Sequence, residues 1–510
     1  MNIVYLSTEA VPFAKTGGLA DVCGTLPSKI AALGHRATLI MPAFRSIRSA
    51  GLPIESTDTS FAIPLSPQKL IGARILKSKL PEGNVPVWFI DQPQYFDRES
   101  LYGTSTGDYP DNAERFAFYC RAAMHAISRL DGPIDIVHCN DWQSGLVPAM
   151  MAAEPDAYPW IKNASSIFTI HNLAYQGHFD RESFRWTGLD WKHFNSNQFE
   201  YYNHLNFLKT GIVSADMITT VSPKYAEEIC GPEQGCGLDG VLRGRRDRLS
   251  GIINGIDQTI WNPETDSKLA ATYDARFYKQ GKLANKREIQ QRFGLEPNES
   301  LPMVGLVGRL ASQKGWDMIL PVLQAHLTQD RPVQWVVLGS GEARYEEPLR
   351  QLAQAFPNRF ALYLGFSDEL AHLIEAGSDV FVMPSLYEPC GLNQLYSLRY
   401  GTVPIVTETG GLANTVVDCT AETLADGTAT GFFIPAANAE ALDQTIGRAL
   451  HLRYHEKEKW QQIIETGMSQ DFSWRHSADQ YIELYAKTIA LKNSQAKTII
   501  KRRDESATFR

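Results

Sequence analysis

Short apolar runs punctuate this chain at regular intervals. The first set is "NIVYL" (2–6), "ATLIM" (37–41), "IDIVH" (134–138), "SSIFTI" (165–170) and "MITTVS" (217–222). The second is "MVGLVG" (303–308), "QWVVLG" (334–339), "ALYLG" (361–365), "DVFVMPS" (379–385) and "VPIVT" (403–407). Most are apolar throughout rather than alternating, which is the pattern of strands covered on both faces. Between them lie stretches of helical period. After the first strand, Leu19, Val22, Leu26, Ile30 and Leu33 recur at three- to four-residue spacing, and Pro27 is expected to kink that helix. Strand alternating with helix predicts an α/β chain of doubly wound parallel sheets.

The strand series breaks at a charged, apolar-poor stretch over 263–300 and restarts at 303. That break predicts two sheets rather than one oversized sheet, with a boundary near 255–262. The expected division is a Rossmann-like domain over 1–258, a second over 259–472, a helix over 473–490 crossing back to the first, and a flexible, solvated tail over 491–510. "GGLADV" (17–22) is echoed by "GGLANTV" (410–416), a short repeat that suggests related halves.

Composition narrows the function by exclusion. The seven cysteines are odd in number and form no C-x-x-C pair, which argues against a disulfide framework or a zinc ribbon. A net charge of −8 argues against a nucleic-acid-binding surface. No apolar run reaches membrane-spanning length, and Met1 leads straight into a strand with no leader pattern before it. The expected setting is the cytoplasm, or the plastid stroma for a plant or algal source.

In open α/β sheets ligands bind beyond the carboxyl ends of the strands, so the residues following each run are the first candidates. In the first half these are Lys15, Gly17 and Gly18, then Asp141, then His171; in the second half, Arg309, Gln313 and Lys314, then Glu388, Cys390, Gly391 and Leu392. Polar groups and glycines thus gather at the same ends of strands in both halves, which suggests two domains facing a cleft. Gly17 and Gly18 serve either a tight turn or the close approach of backbone to a ligand. The amides opening the helix behind them favour an anion or a sugar oxygen, and Lys15 adds a point charge. Arg309 and Lys314 flank a polar turn after a buried strand, an arrangement suited to a diphosphate. Glu388 either favours the start of the next helix by its charge or grips sugar hydroxyls, and the amides near Gly391 and Leu392 suit a phosphate. There is no D-x-D, H-E-x-x-H, EF-hand loop or Walker A motif, so neither a bound metal nor another cofactor is expected.

Taken together, "KTGGLADV", "HCNDWQSGLVP", "TIHNLAYQGHF", "INGIDQTIWNPETD", "GRLASQKGWD", "PSLYEPCGLNQLYSLRYGTVPIV" and "DFSWRHSADQYIELY" resemble the bacterial glycogen synthase and plant starch synthase family, in order from about residue 1 to 490. The resemblance implies the GT-B architecture of two Rossmann-like domains and a retaining transfer of glucose from ADP-glucose to the non-reducing end of an α-1,4-glucan. Carried over motif by motif, it implies that Lys15, Gly17 and Gly18 line the diphosphate and glucose site and that Asp21 helps bind the nucleotide. Asp141 and His171 would face the transferred glucose, and Asn254 would reach the glucose or the catalytic centre. Arg309 and Lys314 would hold the diphosphate. Glu388 would bind glucose hydroxyls, framed by Cys390, Gly391 and Leu392. Tyr95 would lie near the nucleotide sugar. Phe366 stands where an adenine-stacking tyrosine is usual, Asn414 where "GGLADTV" has aspartate, and Tyr396 where many retaining GT-B enzymes carry a second glutamate. The alternatives are an α-glucan phosphorylase, which needs a pyridoxal phosphate lysine, and a non-catalytic glucan-binding relative. Among single changes, Lys314→Ala is expected to cost far more activity than Gln313→Ala.

Overall fold

The computed structural model describes residues 1–508 apart from Ser105, with residues 495–508 described as backbone only. The chain divides into two compact units. Unit 1 comprises Met1–Val221, Ala226–Ile252 and the chain from Trp474 onward; unit 2 comprises Ser222–Tyr225 and Ile253–Ser473. The main passage from one to the other thus falls at Ile252/Ile253.

Unit 1 is built on a nine-stranded sheet. Its strands are β1 (Asn2–Leu6), β2 (Arg36–Pro42), β3 (Glu55–Ser66), β4 (Lys69–Lys79), β5 (Pro86–Asp91), β6 (Ile136–Asn140), β7 (Ser165–Ile170), β8 (Met217–Thr220) and β9 (Leu249–Gly251). Their order across the sheet is β9-β8-β7-β6-β1-β2-β5-β4-β3. From β9 to β5 every pairing is parallel, whereas β3–β4 and β4–β5 are antiparallel. The apolar-run pattern missed this antiparallel edge because β3 and β4 are only half covered: their burial alternates along the strand, while β1 is buried at all five positions. The strand expected over 134–138 lies two residues later, where Ile136–Cys139 pair with Ile3–Leu6.

Unit 2 carries a six-stranded, all-parallel sheet. Its strands are β10 (Met303–Val307), β11 (Gln334–Gly339), β12 (Phe360–Leu364), β13 (Val380–Met383), β14 (Val403–Thr407) and β15 (Phe432–Ile434), in the order β12-β11-β10-β13-β14-β15. Successive residues serve opposite cores. Val304, Leu306, Trp335 and Val337 join one apolar cluster, and Met303, Val336, Leu338 and Phe381 the other. A strand that feeds two cores has no polar face, which is why these runs read as continuously apolar.

The helix after β1 runs Gly18–Ala32 unbroken through Pro27, with Leu19, Val22, Leu26 and Ile30 buried. The last helix extends Trp474–Thr508, through most of the segment expected as a tail; residues 509–510 lie outside those described. It belongs to unit 1, where Tyr485 hydroxyl meets Tyr5 hydroxyl at 3.0 Å and His138 Nδ1 at 2.9 Å.

The strand orders locate the sites. In unit 1 the chain builds outward from β1 through β2 to the β3 edge and then returns to the other side of β1 with β6. In unit 2 it builds from β10 through β11 to β12 and returns with β13. The crevices at such reversals, outside the carboxyl ends of β1/β6 and β10/β13, are where ligands bind in this class of sheet.

Candidate active site

In unit 2 the residues after β10 and β13 meet around a cavity of about 110 Å³, lined among others by Arg309, Lys314, Ser385, Glu388 and Gly391. Lys314 Nζ lies 2.5 Å from Glu388 Oε2, and Ser385 Oγ donates to the same oxygen at 2.9 Å. Glu388 is 8% exposed, so its charge is held by these two donors rather than by water. Arg309 is exposed; its backbone carbonyl accepts from Trp316 Nε1 at 3.1 Å, and its guanidinium donates to Gln313 Oε1 at 3.2 Å. Gln313 Nε2 in turn donates to Tyr387 O at 2.6 Å. Asn254 is buried, with its side-chain carbonyl oxygen lacking a hydrogen-bond partner in the structure. Such an oxygen is costly unless something else satisfies it. Its backbone N–H donates to Cys390, whose thiol burial pushes up to about 12 and so leaves inert. Gly391 and Leu392 lead into the helix Asn393–Arg399.

Gly410 and Gly411 have a steric purpose. A Cβ at Gly410 would stand 1.9 Å from Glu388 O, and one at Gly411 1.9 Å from Cys390 O. These glycines let one backbone press against the loop that presents Glu388. Gly17 and Gly18 of the matching "GGLADV" have nothing within 4 Å on that side, and Gly17 is extended at φ −161°. The two copies of the motif therefore differ in what their glycines do.

Phe366, just beyond β12, is 86% exposed. Tyr396 has no carboxylate role: its ring stacks on Trp261 at 3.7 Å, with His372 on Trp261's other face at 3.6 Å.

In unit 1, Lys15 Nζ pairs with Asp21 Oδ1 at 2.7 Å. Burial raises the Asp21 carboxyl above the ordinary range, and Lys15 opposes that rise. The loop amides expected to be free are not. Thr16 N and Gly17 N donate to Glu9 Oε2 at 2.5 and 3.2 Å, and Thr16 Oγ1 donates to Glu9 Oε1 at 2.6 Å. Tyr102 hydroxyl adds a fourth bond to Glu9 at 2.8 Å. Glu9 is 3% exposed and sits three residues beyond the end of β1, in the region that the strand-end rule singles out, yet it is absent from the residues expected there from sequence, Lys15 and the glycines. Its carboxylate anchors the glycine loop from beneath, which leaves the Lys15 amine and the later amides of the helix as the groups a ligand can use.

Asp141 follows β6 with φ 55° and ψ 178°, a backbone conformation that side chains other than glycine rarely adopt. Its Oδ1 accepts from His171 N at 2.8 Å. Burial, with a smaller contribution from the nearby Glu9 charge, pushes its carboxyl up to about 7. His171, just after β7, is pushed down to about 3 by burial and is therefore a neutral imidazole. Its Nε2–H donates to Asn140 Oδ1 at 3.0 Å, which leaves Nδ1 as the acceptor. Strain and a perturbed carboxyl together at the β1/β6 reversal make Asp141 a candidate site residue. Tyr95 is committed elsewhere. It is buried, bonded through its hydroxyl to Glu114, and packed on Phe118. Among the described residues no group of three or more His, Cys, Asp or Glu could hold a metal ion, and no helix is long and apolar enough to cross a membrane.

Two Rossmann-like sheets, each with charged groups beyond its reversal point, have the architecture of a glycosyltransferase of the GT-B class. The comparisons with known proteins agree. The starch synthase catalytic domain family matches residues 2–244, and glycosyl transferases group 1 match residues 287–469. A glycogen synthase of Rhodopirellula baltica is 60% identical over 499 residues, 96% of this chain and 98% of that one. One of Syntrophotalea carbinolica is 46% identical, covering 97% of this chain and all of that one. The catalytic domain of starch synthase IV from Arabidopsis thaliana, solved with ADP and acarbose, superposes with a TM-score of 0.86 at 32% identity, covering 96% of this chain and 99% of that one. The chain belongs to the glycogen synthase and starch synthase family.

Proposed function

We propose that this glycosyltransferase transfers glucose from ADP-glucose to the non-reducing end of an α-1,4-glucan with retention of configuration. The observation that carries the reading is the Arg309, Lys314 and Glu388 group around one cavity at the β10/β13 reversal. Two cations and a carboxylate there suit a sugar diphosphate: the cations take the phosphates and Glu388 takes sugar hydroxyls. The related starch synthase IV domain was solved bound to ADP and acarbose. The exposed Phe366 offers a ring face for adenine.

The reaction breaks a glycosyl–phosphate bond, so negative charge grows on the departing diphosphate while positive charge grows at the sugar. Arg309 and Lys314 supply the first countercharge, the kind of preorganised field that accounts for most of such accelerations. In unit 1, Asp141 and His171 lie beyond the ends of β6 and β7 and suit contacts to sugar hydroxyls. The neutral His171 presents an acceptor rather than a competing cation. Asp141 titrates near neutrality and is suited to hydroxyl contacts rather than to permanent attack. We assign a front-face substitution in which a leaving phosphate oxygen takes the acceptor hydroxyl proton. Tyr396 removes the second-glutamate position from consideration as a nucleophile.

The test is incorporation of radiolabelled glucose into glycogen from ADP-glucose, with UDP-glucose in parallel. Digestion of the product with an α-1,4-specific enzyme checks retention. Label from UDP-glucose alone overturns the donor assignment. A trapped glycosyl adduct on Asp141 or Glu388 overturns the front-face route.

A further inference from the structure

One side chain in the turn after β10 bonds in two directions. Gln313 O accepts from Leu386 N at 2.9 Å, and Gln313 Nε2 donates to Tyr387 O at 2.6 Å, so the turn is stitched to the two residues that lead directly into Glu388. At the same time Gln313 Oε1 accepts from Arg309 Nη2 at 3.2 Å. The next residue along is Lys314, whose amine holds Glu388. One amide therefore links the Arg309 guanidinium to the loop that carries Glu388.

We propose that Gln313 is a positioning residue of the diphosphate site: it aims the Arg309 guanidinium and sets the loop that carries Glu388, without touching substrate itself. The proposal rests on the reading of Arg309 and Lys314 as diphosphate ligands. The physical reason is preorganisation. An exposed arginine on a long stem samples many rotamers, and ordering it on binding subtracts from affinity. A hydrogen bond made beforehand to a fixed acceptor removes part of that cost. The amide suits the task because it offers an acceptor to the cation and a donor to the carbonyl at once, which neither a carboxylate nor an ammonium does. Gln313→Ala is thus no neutral comparison for Lys314→Ala; it acts on the same site through its neighbours.

The test is a double-mutant cycle on the full chain, read by calorimetric titration with ADP for wild type, Gln313→Met, Arg309→Met and the double variant. Gln313→Met should weaken ADP binding by about tenfold, the worth of one charge-assisted hydrogen bond. It should keep the melting temperature of wild type and raise the donor KM more than it lowers kcat. In the Arg309→Met background the same change should cost less than about twofold, because the group it aims is gone. Gln313→Ala is the second variant, with the same expected loss at this half-buried position, should the methionine fail to fold. Normal ADP affinity in the Gln313 variants overturns the proposal alone, as does an equal loss in both backgrounds. Wild type that binds no ADP overturns the diphosphate reading and the proposal with it.

Discussion

Removing Lys314 separates a structural ion pair from a ligand-binding cation. In Lys314→Met, Glu388 keeps Ser385 as a donor but loses its counter-ion. Breaking a fully buried pair on one side costs about 3–5 kcal/mol, and an exposed pair is worth at most about 1 kcal/mol. Here the lysine side chain is 26% exposed and the glutamate 10%, so about 2 kcal/mol is expected. For a unit of this size that lowers the melting temperature of unit 2 by about 4–8 °C. Glu388→Gln in the same chain removes the orphaned charge and should restore most of that loss. ADP affinity should behave differently. A charge-assisted contact to phosphate is worth about 1.5–3 kcal/mol, so Lys314→Met should bind ADP some 10- to 150-fold more weakly (~), and the added Glu388→Gln should not restore it. Scanning fluorimetry and ADP titration on the four proteins complete the cycle. If the two stability losses simply add, the pair is not coupled. If ADP affinity survives Lys314→Met, the lysine belongs to the fold and not to the diphosphate.

Other expectations follow from the same geometry. The Asp141 carboxyl is held near 7 in the folded chain and titrates in the ordinary acidic range when unfolded. Wild-type stability should therefore fall as pH rises from about 4 to about 7, where the unfolded carboxyl has released a proton that the folded one keeps. Asp141→Asn retains the acceptor for His171 N and, being isosteric, leaves the backbone strain unchanged. Its melting temperature relative to wild type should rise between pH 5 and pH 8.5, by the equivalent of about 1–2 kcal/mol once partial solvent access is allowed for; a difference flat in pH refutes the burial argument. Gly410→Ala, with its Cβ driven against Glu388 O at φ +45°, should destabilise the chain by about 3 kcal/mol. Gly17→Ala, facing open space, should keep the melting temperature but lose activity if a ligand passes there; full activity would refute that approach. Cys236 is the exposed thiol and the other six are buried, so peptide mapping after brief native alkylation should find label at Cys236 alone.

Much of this protein was written locally. Strand identity survived because a run that feeds two cores must be apolar at every position, and the ten runs read from sequence each correspond to a strand in the structure. Asp141, His171 and Arg309 stand one or two residues beyond the carboxyl ends of their strands, and Lys15, Lys314 and Glu388 follow in the loops after β1, β10 and β13. The antiparallel edge β3–β4 escaped because a half-solvated strand mixes polar and apolar residues without a continuous signal.

Tertiary structure decided what those residues can do. Strand order placed the reversals at β1/β6 and β10/β13, and no local pattern encodes which strands become neighbours. The same two-glycine motif became an open loop in one half and a pressed backbone contact in the other, because only the opposing loop determines what a missing Cβ makes room for. The loop amides were filled by Glu9, the Asp141 carboxyl was raised by burial, and Gln313 became the link between the Arg309 guanidinium and the loop that carries Glu388. A sequence names the donors, acceptors and charges; distance and desolvation set which of them are already satisfied, and that is fixed only when the chain folds.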